Sequence, residues 1–553
     1  MDSPEKDPDK TPQESKEYYY KLGLLTTLKL AVKTTPQKNN YEAWFQLGNL
    51  YDDFGQKEEA IEAYQKALEI DTTQHKAWYN LGIVLNELGQ SEAAIDAYHQ
   101  SVKLQPNQPR AWYNLGGIYN NFSRLEEALS AYKKAIHFDP EKTDAWYNVG
   151  FTYHKLNQYE QAIKAYQRTL EINPHQPKAW NNLGNAYDDF DKPKEAIQAY
   201  QKALELTPDD RDTWYNMGIT YHHIDKLEKA IEAYEKANAI NPNYASCWYN
   251  LANAYDDTHQ YKAAVKAYQK AVKISPEKYE AWLNLAHTYI NLDKLKEARK
   301  AFQRATIIKP ESYKAWLGLG NVCYDLDQPT KAVKAYKKAI EINPEEQQVW
   351  HHMGDAYGEL EKPKKAQAAF KKALEINPVH AELWHDLGNT HEDLEELEEA
   401  IEAYQKSLEI DPKQAEVWFD LGDAYDDNDQ PKAASEAYQK ALEIDPEYLD
   451  AWVNAGFLYF TMAQLEAAKT HLECALELSN QQDYQALMNL AHVYLIENNP
   501  DIALEYYRKS YAQFEDKEEF WEDMEDDFEY METQGVTHKV FEKVLKELKT
   551  SVA

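Results

Sequence analysis

Residues 109–142 read PRAWYNLGGIYNNFSRLEEALSAYKKAIHFDPEK, and the same 34-residue layout recurs along most of the chain. A period between about 20 and 50 residues indicates units that cannot bury an apolar face alone and that stack on their neighbours. The fourth place of thirteen such units holds a tryptophan, with no insertion or deletion between units, at Trp44, Trp78, Trp112, Trp146, Trp180, Trp214, Trp248, Trp282, Trp316, Trp350, Trp384, Trp418 and Trp452. The chain is therefore predicted to be a repeat array, whose function is inferred from columns of equivalent places.

Each unit contains two apolar stripes separated by a short polar break. The stripes of the quoted unit consist of Trp112, Leu115, Gly116 and Tyr119, then Ala128, Tyr132 and Ala135. Apolar residues at i, i+3, i+4 and i+7 are typical of one face of an α-helix. Pro140 at place 32 stops the second helix because proline has no N–H. Each unit is thus predicted to be a helical hairpin.

This layout resembles the tetratricopeptide repeat (TPR) family, whose signature of Trp, Leu-Gly, Tyr, Ala, Tyr, Ala and Pro is matched repeat after repeat over residues 41–482. A degenerate repeat is expected at residues 484–517, where Leu487 takes the place of the tryptophan one residue late. The resemblance implies an all-α fold, an α-solenoid that forms a right-handed superhelix of about 14 helical hairpins.

Terminal units of a solenoid are atypical because one of their faces meets water. We expect a disordered tail at residues 1–14, an N-terminal capping helix at 15–40 and C-terminal capping helices at 518–553. The acidic run from Glu515 to Glu532 keeps apolar residues at helical spacing, so it is interpreted as a cap. The alternative is a detachable acidic segment that imitates a partner.

The composition restricts the class of partner. The net charge of −34, from 94 acidic and 60 basic residues, would repel nucleic acid and anionic membranes, so a basic protein is expected. Three cysteines without a C-x-x-C pair indicate neither a disulfide framework nor a thiolate metal site. The N-terminus lacks a signal peptide, and no apolar run approaches the length of a membrane span. A cytoplasmic location without membrane insertion is therefore predicted.

The polar columns of the first helix are the candidate binding surface. Places 4, 7, 8 and 11 cluster on one side of that helix, and places 2, 6, 9 and 13 fall on the other. In the TPR family the first helices line a concave wall, so the resemblance implies that these polar columns face the ligand.

Place 6 is asparagine in seven consecutive repeats, at Asn80, Asn114, Asn148, Asn182, Asn216, Asn250 and Asn284. A carboxamide offers one acceptor group and two N–H donors, so such a column can bond the backbone of an extended peptide without selecting its side chains. The column is similar to the asparagine ladder in the TPR region of the O-GlcNAc transferase family, whose catalytic region has no counterpart here. Alternatively, the asparagines reflect repeat duplication or bond a neighbouring helix.

The charge of these columns changes along the array. Early repeats carry aromatic residues at place 5, namely Tyr79, Tyr113 and Tyr147. Late repeats concentrate carboxylates at places 6, 9 and 13, and the candidate binding residues there are Asp355, Asp386, Asp393, Asp420, Asp423 and Asp427. Like charges within a Debye length raise one another's free energy, which a cationic ligand would relieve. A segment bearing Lys or Arg is therefore the expected partner, unless these are only solvated faces of an acidic protein.

The sequence lacks the common catalytic and cofactor-binding motifs. The sequence contains no G-x-G-x-x-G, P-loop, G-x-S-x-G or H-E-x-x-H string, so neither an enzyme nor a bound cofactor is expected. His351 and His352 lie near the late acidic residues. Zinc ligands converge within about 2 Å of one point, whereas successive stacked helices lie roughly 10 Å apart. No metal site is expected on this ground.

The leading hypothesis is a non-enzymatic scaffold or adaptor that binds an extended, basic polypeptide segment. Two other interpretations remain. The chain could be a structural solenoid that self-associates, or a regulatory subunit of an enzyme on another chain. TPR architecture serves unrelated functions, so the fold does not choose among them.

Overall fold

The computed structural model describes residues 12–34, 40–514 and 517–552, and within these ranges every regular element is an α-helix. The chain divides at Pro276 into two compact units, whose described residues lie within 12–276 for unit 1 and 277–552 for unit 2. Of the predicted N-terminal tail, residues 1–11 lie outside the described residues. The first helix begins at Pro12, before the expected start of the N-terminal cap.

Unit 1 contains α1 Pro12–Thr34, α2 Tyr41–Asp53, α3 Lys57–Ile70, α4 His75–Glu87, α5 Ser91–Leu104, α6 Pro109–Asn121, α7 Leu125–Phe138, α8 Thr143–Lys155, α9 Tyr159–Ile172, α10 Pro177–Asp188, α11 Pro193–Leu206, α12 Arg211–His223, α13 Leu227–Ile240, α14 Ala245–Asp257 and α15 Tyr261–Ile274. From α2 onward, even-numbered helices are the first and odd-numbered helices the second of each hairpin.

Unit 2 contains α16 Tyr279–Ile290, α17 Leu295–Ile308, α18 Tyr313–Asp325, α19 Pro329–Ile342, α20 Gln347–Gly358, α21 Pro363–Ile376, α22 Ala381–Glu392, α23 Leu397–Ile410, α24 Ala415–Asp427, α25 Pro431–Ile444, α26 Leu449–Thr461, α27 Leu465–Leu478, α28 Tyr484–Ile496, α29 Pro500–Gln513, α30 Lys517–Thr533 and α31 His538–Val552. The all-α solenoid class predicted from the repeat period is confirmed.

The two helices of a hairpin pack through a glycine and an aromatic ring. A Cβ atom added at Gly116 would lie 2.5 Å from the ring of Tyr132, which is almost fully buried. The equivalent contact joins Gly184 to Tyr200. The small residue at place 8 therefore admits the tyrosine ring of the same repeat.

The tryptophan column links successive repeats. The indole Nε1 of Trp112 donates a hydrogen bond of 2.9 Å to the backbone oxygen of Pro106, the proline that ends the preceding repeat. Trp418 makes the same bond to Pro412 at 3.0 Å in unit 2. First helices of successive repeats also contact one another, as α10 and α12 do in unit 1 and α24 and α26 in unit 2. In each unit the first helices thus form a neighbouring row.

The terminal helices complete the apolar cores of their units. Leu25 of α1 packs with Leu47 and Leu50. Six buried apolar residues of α30 and α31 join the core formed by α26 to α29, namely Phe520, Met524, Met531, Phe541, Val544 and Leu548. None of the described helices is both long and apolar enough to cross a membrane.

Candidate functional site

The predicted ladder asparagines of unit 1 bond the preceding repeat through their amide nitrogens. Asn148 Nδ2 lies 3.1 Å from the hydroxyl of Tyr113, and Asn182 Nδ2 lies 2.8 Å from that of Tyr147. In each pair a place-5 tyrosine meets the place-6 asparagine 35 residues later. Asn250 pairs in the same way with Tyr215 at 3.1 Å.

The other three asparagines of unit 1 bond different side chains of the preceding repeat. Asn114 Nδ2 donates to Tyr98 at 3.1 Å, and Asn80 Nδ2 donates to Asn49 at 2.8 Å. Asn216 Nδ2 donates to Asn185 at 3.0 Å. All six asparagines are half-buried, as is Asn284 on α16 in unit 2. Bonding to a neighbouring helix, one of the alternatives for this column, is therefore observed for these six.

The predicted aromatic residues are packing residues. The rings of Tyr79, Tyr113 and Tyr147 lie 5.9, 5.7 and 5.8 Å from tyrosine rings of the second helix in their own repeats. Burial raises the pKa of all three phenols, so they stay neutral at physiological pH. Tyr113 and Tyr147 position the next asparagine of the column.

In unit 2, histidine–aspartate pairs replace these tyrosine–asparagine pairs. His351 Nε2 lies 2.8 Å from Asp386 Oδ2, and His385 Nε2 lies 2.5 Å from Asp420 Oδ2, again 35 residues apart. Burial alone would lower the pKa of His351, but the bond to Asp386 and the charges of Asp355 and Asp386 outweigh it and raise that pKa. The sequence interpretation missed the role of these histidines, which stand at place 5.

Asp423 occupies a place where other repeats use asparagine. It accepts hydrogen bonds from the Tyr438 hydroxyl at 2.5 Å and from Asn454 Nδ2 at 2.9 Å. Asn185 accepts the equivalent pair of bonds from Tyr200 at 2.8 Å and from Asn216. An uncharged carboxamide therefore meets the structural requirement at this place.

The carboxyl group of Asp423 carries an energetic cost. Burial raises its pKa to about 6, the bonds from Tyr438 and Asn454 oppose this, and the charges of Asp420 and Asp427 add to it. A pKa that rises on folding means that the ionised carboxylate is less stable in the folded protein than in the unfolded chain.

The units also differ at place 12 and at place 13 of the next repeat, where unit 2 has two acids. In unit 1, His154 at place 12 lies 2.8 Å from Asp189 at place 13 of the next repeat. The equivalent places in unit 2 hold Glu392 and Asp427. Burial raises the pKa of Glu392 to about 7, the bond to Tyr404 opposes this, and the charges of Asp420, Asp423 and Asp427 raise it further.

We call Glu392, Asp420, Asp423 and Asp427 the acidic cluster. The sequence interpretation missed Glu392, although acids recur at place 12 in Asp52, Asp188, Asp256 and Asp426. Asp355 and Asp386 lie beside His351 instead, and Asp393 is exposed at the end of α22. The structure thus brings three of the six predicted acids together and divides the others.

Replacing Asp423 with asparagine tests the cost of this charge. Because the folded-state pKa is raised, the folded chain holds the proton more tightly, and stability falls as pH rises from about 4 to about 6. Asp423→Asn should increase the free energy of unfolding by about 1 to 2 kcal/mol at pH 7.5, with little gain at pH 4. Urea denaturation followed by circular dichroism measures both values.

The matched control is Asn185→Asp, which places a carboxylate between the same two kinds of donor in unit 1. It should lower the free energy of unfolding at pH 7.5. If Asp423→Asn has the same free energy of unfolding as the original chain at that pH, the ionised Asp423 carboxylate does not destabilise the fold.

Helix α30 covers the first-helix face of the last repeats. The Tyr530 hydroxyl lies 2.8 Å from the backbone oxygens of both Phe460 and Thr461. Asp527 lies 3.4 Å from His492, which is fully buried at place 9 of α28, and burial lowers the pKa of His492 to about 3. By contrast, Asp386 and Asp420 are 28% and 22% exposed. A ligand could therefore reach the face of α22 and α24 but not that of α28.

Two grooves lie away from the predicted binding residues. One of about 860 Å³ in unit 1 is lined by Trp180, Leu183 and Tyr187, and one of about 720 Å³ in unit 2 by Trp418 and Tyr425. These residues belong to the apolar places 4, 7 and 11. None of the predicted binding residues lines either groove.

Helical hairpins stacked by equivalent contacts define an α-solenoid, a class that presents extended binding surfaces. Family models described as tetratricopeptide repeat match residues 41–73, 79–143, 143–176, 177–210, 209–277, 379–447, 427–491 and 484–513. A model described as the cilia and flagella-associated protein 70 C-terminal domain matches residues 246–389. The chain belongs to the TPR family, which confirms the resemblance at that level. It is a protein-interaction scaffold in the general sense of that family.

Several solved structures are similar to parts or most of the chain. The crystal structure of the MamA protein is 27% identical over 31% of this chain and 94% of that one, with a TM-score of 0.30. Cut9–Hcn1 of the APC/C is 16% identical over 85% and 98%, with a TM-score of 0.32. Naa15/Naa10 bound to HypK-THB is 15% identical over 92% and 80%, with a TM-score of 0.35. The comparison with curated proteins returned no match.

Proposed function

We propose that this chain is a non-enzymatic adaptor that binds an extended, basic polypeptide segment on its first-helix faces. In unit 2 the acidic cluster, with Asp386 beside it, binds Lys or Arg side chains. In unit 1 the asparagine column bonds the ligand backbone. The buried cysteines Cys247 and Cys323 are free, consistent with a reducing, cytoplasmic location.

The carboxylate of Asp423 is the observation that carries the proposal. Asparagine satisfies the same donors in unit 1, yet unit 2 keeps an acid there whose pKa is raised to about 6. Glu392 also takes the place that His154 has in unit 1, which adds a further acid near Asp420, Asp423 and Asp427. Charge retained against a folding cost is typical of binding surfaces, where stability is exchanged for function.

The asparagine column supports the second part of the proposal. Asn148 uses one N–H in its bond to Tyr113, so one N–H and the carbonyl oxygen of the carboxamide remain for a ligand. Asn182 bonds Tyr147 in the same way, and its carboxamide oxygen also accepts a bond of 3.4 Å from Asn181 Nδ2, which leaves one lone pair of that oxygen for a ligand. Successive equivalent carboxamides suit a repeating ligand backbone, whose amide groups are both donors and acceptors.

Selection from an unbiased displayed peptide library tests the function. We expect the intact chain to enrich sequences with several Lys or Arg residues and with few other side-chain preferences. Affinity of a selected peptide should fall steeply with salt because the charges are partly exposed. Enrichment of acidic or apolar peptides would refute the proposal. No enrichment, together with sedimentation that increases with concentration, would favour the self-assembling solenoid.

The backbone-binding role of the asparagines needs a separate variant, because they also join repeats. Replacing Asn148, Asn182 and Asn216 with alanine should reduce the affinity for a selected peptide by about tenfold, through loss of ligand hydrogen bonds. The control is Tyr113→Phe with Tyr147→Phe, which removes two inter-repeat bonds and keeps the carboxamides. Fluorescence anisotropy should show nearly unchanged binding for the control. Equal losses in both variants would assign the asparagines a purely structural role.

A further inference from the structure

A histidine and two aspartates converge on the first-helix face of unit 2. His351 Nε2 on α20 lies 2.8 Å from Asp386 Oδ2 on α22 and 3.8 Å from Asp355 Oδ1, one turn later on α20. One ligand atom from each of the three residues lies within 4.8 Å of the others. Side chains of neighbouring first helices reach across the gap between them, so the spacing of the helices does not exclude a metal site at this point.

From this geometry we propose that His351, Asp355 and Asp386 bind a divalent transition metal ion such as Zn²⁺. Ligand atoms of a tetrahedral zinc site lie roughly 3.3 Å apart, given bonds of about 2.0 to 2.1 Å, so small side-chain movements complete the set. One imidazole nitrogen and two carboxylate oxygens leave one position for water. Zinc accepts such mixed nitrogen and oxygen ligands.

The surroundings supply further donors. His352 Nδ1 lies 3.5 Å from the other carboxylate oxygen of Asp355, where it can orient that ligand. His380 and Glu382 form a second candidate group that shares His351. The three proposed ligands are 13%, 28% and 28% exposed, so solvent reaches the site and an ion can enter.

The next repeat provides an internal comparison. His385 and Asp420 repeat the pairing of His351 with Asp386, but Asn389 stands where Asp355 would be. The carbonyl oxygen of Asn389 accepts a bond from Tyr404 at 2.7 Å. This repeat lacks the second carboxylate, and a weaker or absent metal site is expected there.

Titration of the intact chain with Co²⁺, after removal of adventitious metal, tests the site. We expect one bound equivalent of Co²⁺ with the visible absorption of a four-coordinate cobalt ion. Addition of Zn²⁺ should displace the Co²⁺ and abolish this absorption. Asp355→Asn and His351→Gln should each reduce the affinity by at least about tenfold. Asn389→Asp should add a second equivalent, since it completes the corresponding set with His385 and Asp420.

Circular dichroism confirms that each variant is folded before titration. Binding that is unchanged in Asp355→Asn, or an intact chain without the absorption bands, would overturn the proposal. The first result would mean that Co²⁺ associates with scattered surface acids. No peptide is present, so the outcome is independent of the proposed adaptor function.

Discussion

Replacing Asp386, Asp420, Asp423 and Asp427 with asparagine should lower the affinity for a selected Lys/Arg-rich peptide by about 100-fold. Each partly exposed ion pair contributes up to about 1 kcal/mol, so four lost pairs amount to roughly 3 kcal/mol. The fold should persist, because asparagine occupies the places of Asp386 and Asp423 in unit 1. Fluorescence anisotropy at low and physiological salt measures the affinity.

The control variant changes the same number of charges on the second helices. Glu398, Glu399, Glu409 and Glu436 are exposed on α23 and α25, and their replacement by glutamine should leave the affinity within about threefold. Equal losses in the two variants would mean that net charge, and not the first-helix face, attracts the peptide.

Met524→Asp should lower the free energy of unfolding of unit 2 by about 4 kcal/mol or more. Met524 is fully buried in the core that α30 shares with α28, so the substitution places an unpaired carboxyl among apolar groups. Glu529→Gln, at an exposed place on the same helix, should change the value by less than about 0.5 kcal/mol. Urea denaturation measures both.

A loss below about 1 kcal/mol for Met524→Asp would show that α30 is only loosely attached. That result would support the alternative of a detachable acidic segment. Tyr530 and Asp527 would then leave the face of α26 and α28, and the place-9 histidine, His492, would become accessible.

The hairpin fold could be predicted from the sequence because a strict 34-residue period repeats each packing contact. The glycine at place 8, the tyrosine at place 24 and the tryptophan at place 4 each have one recurring partner, as Gly116, Tyr132 and Trp112 illustrate. One period is therefore enough to identify the whole array, and the family models confirm it.

The site was less predictable because its contacts join different repeats. A helical wheel treats each first helix alone, so it could not show that Asn148 meets Tyr113 or that Asp386 meets His351. Glu392 was missed for the same reason, since its pKa depends on burial and on acids of α24, the first helix of the next repeat. These cross-repeat pairs depend on the rotation between repeats, which a residue pattern does not contain.

Zero-length carbodiimide cross-linking of a selected Lys-rich peptide to the intact chain tests the central claim most directly. This reagent joins a lysine amine to a carboxylate only where the two are in contact. The adaptor account predicts cross-links to Asp386, Asp420, Asp423 and Asp427 on α22 and α24. Cross-links that fall equally on the exposed acids of α23 and α25 would contradict it. That result would mean that the acidic cluster is solvated surface without a binding role.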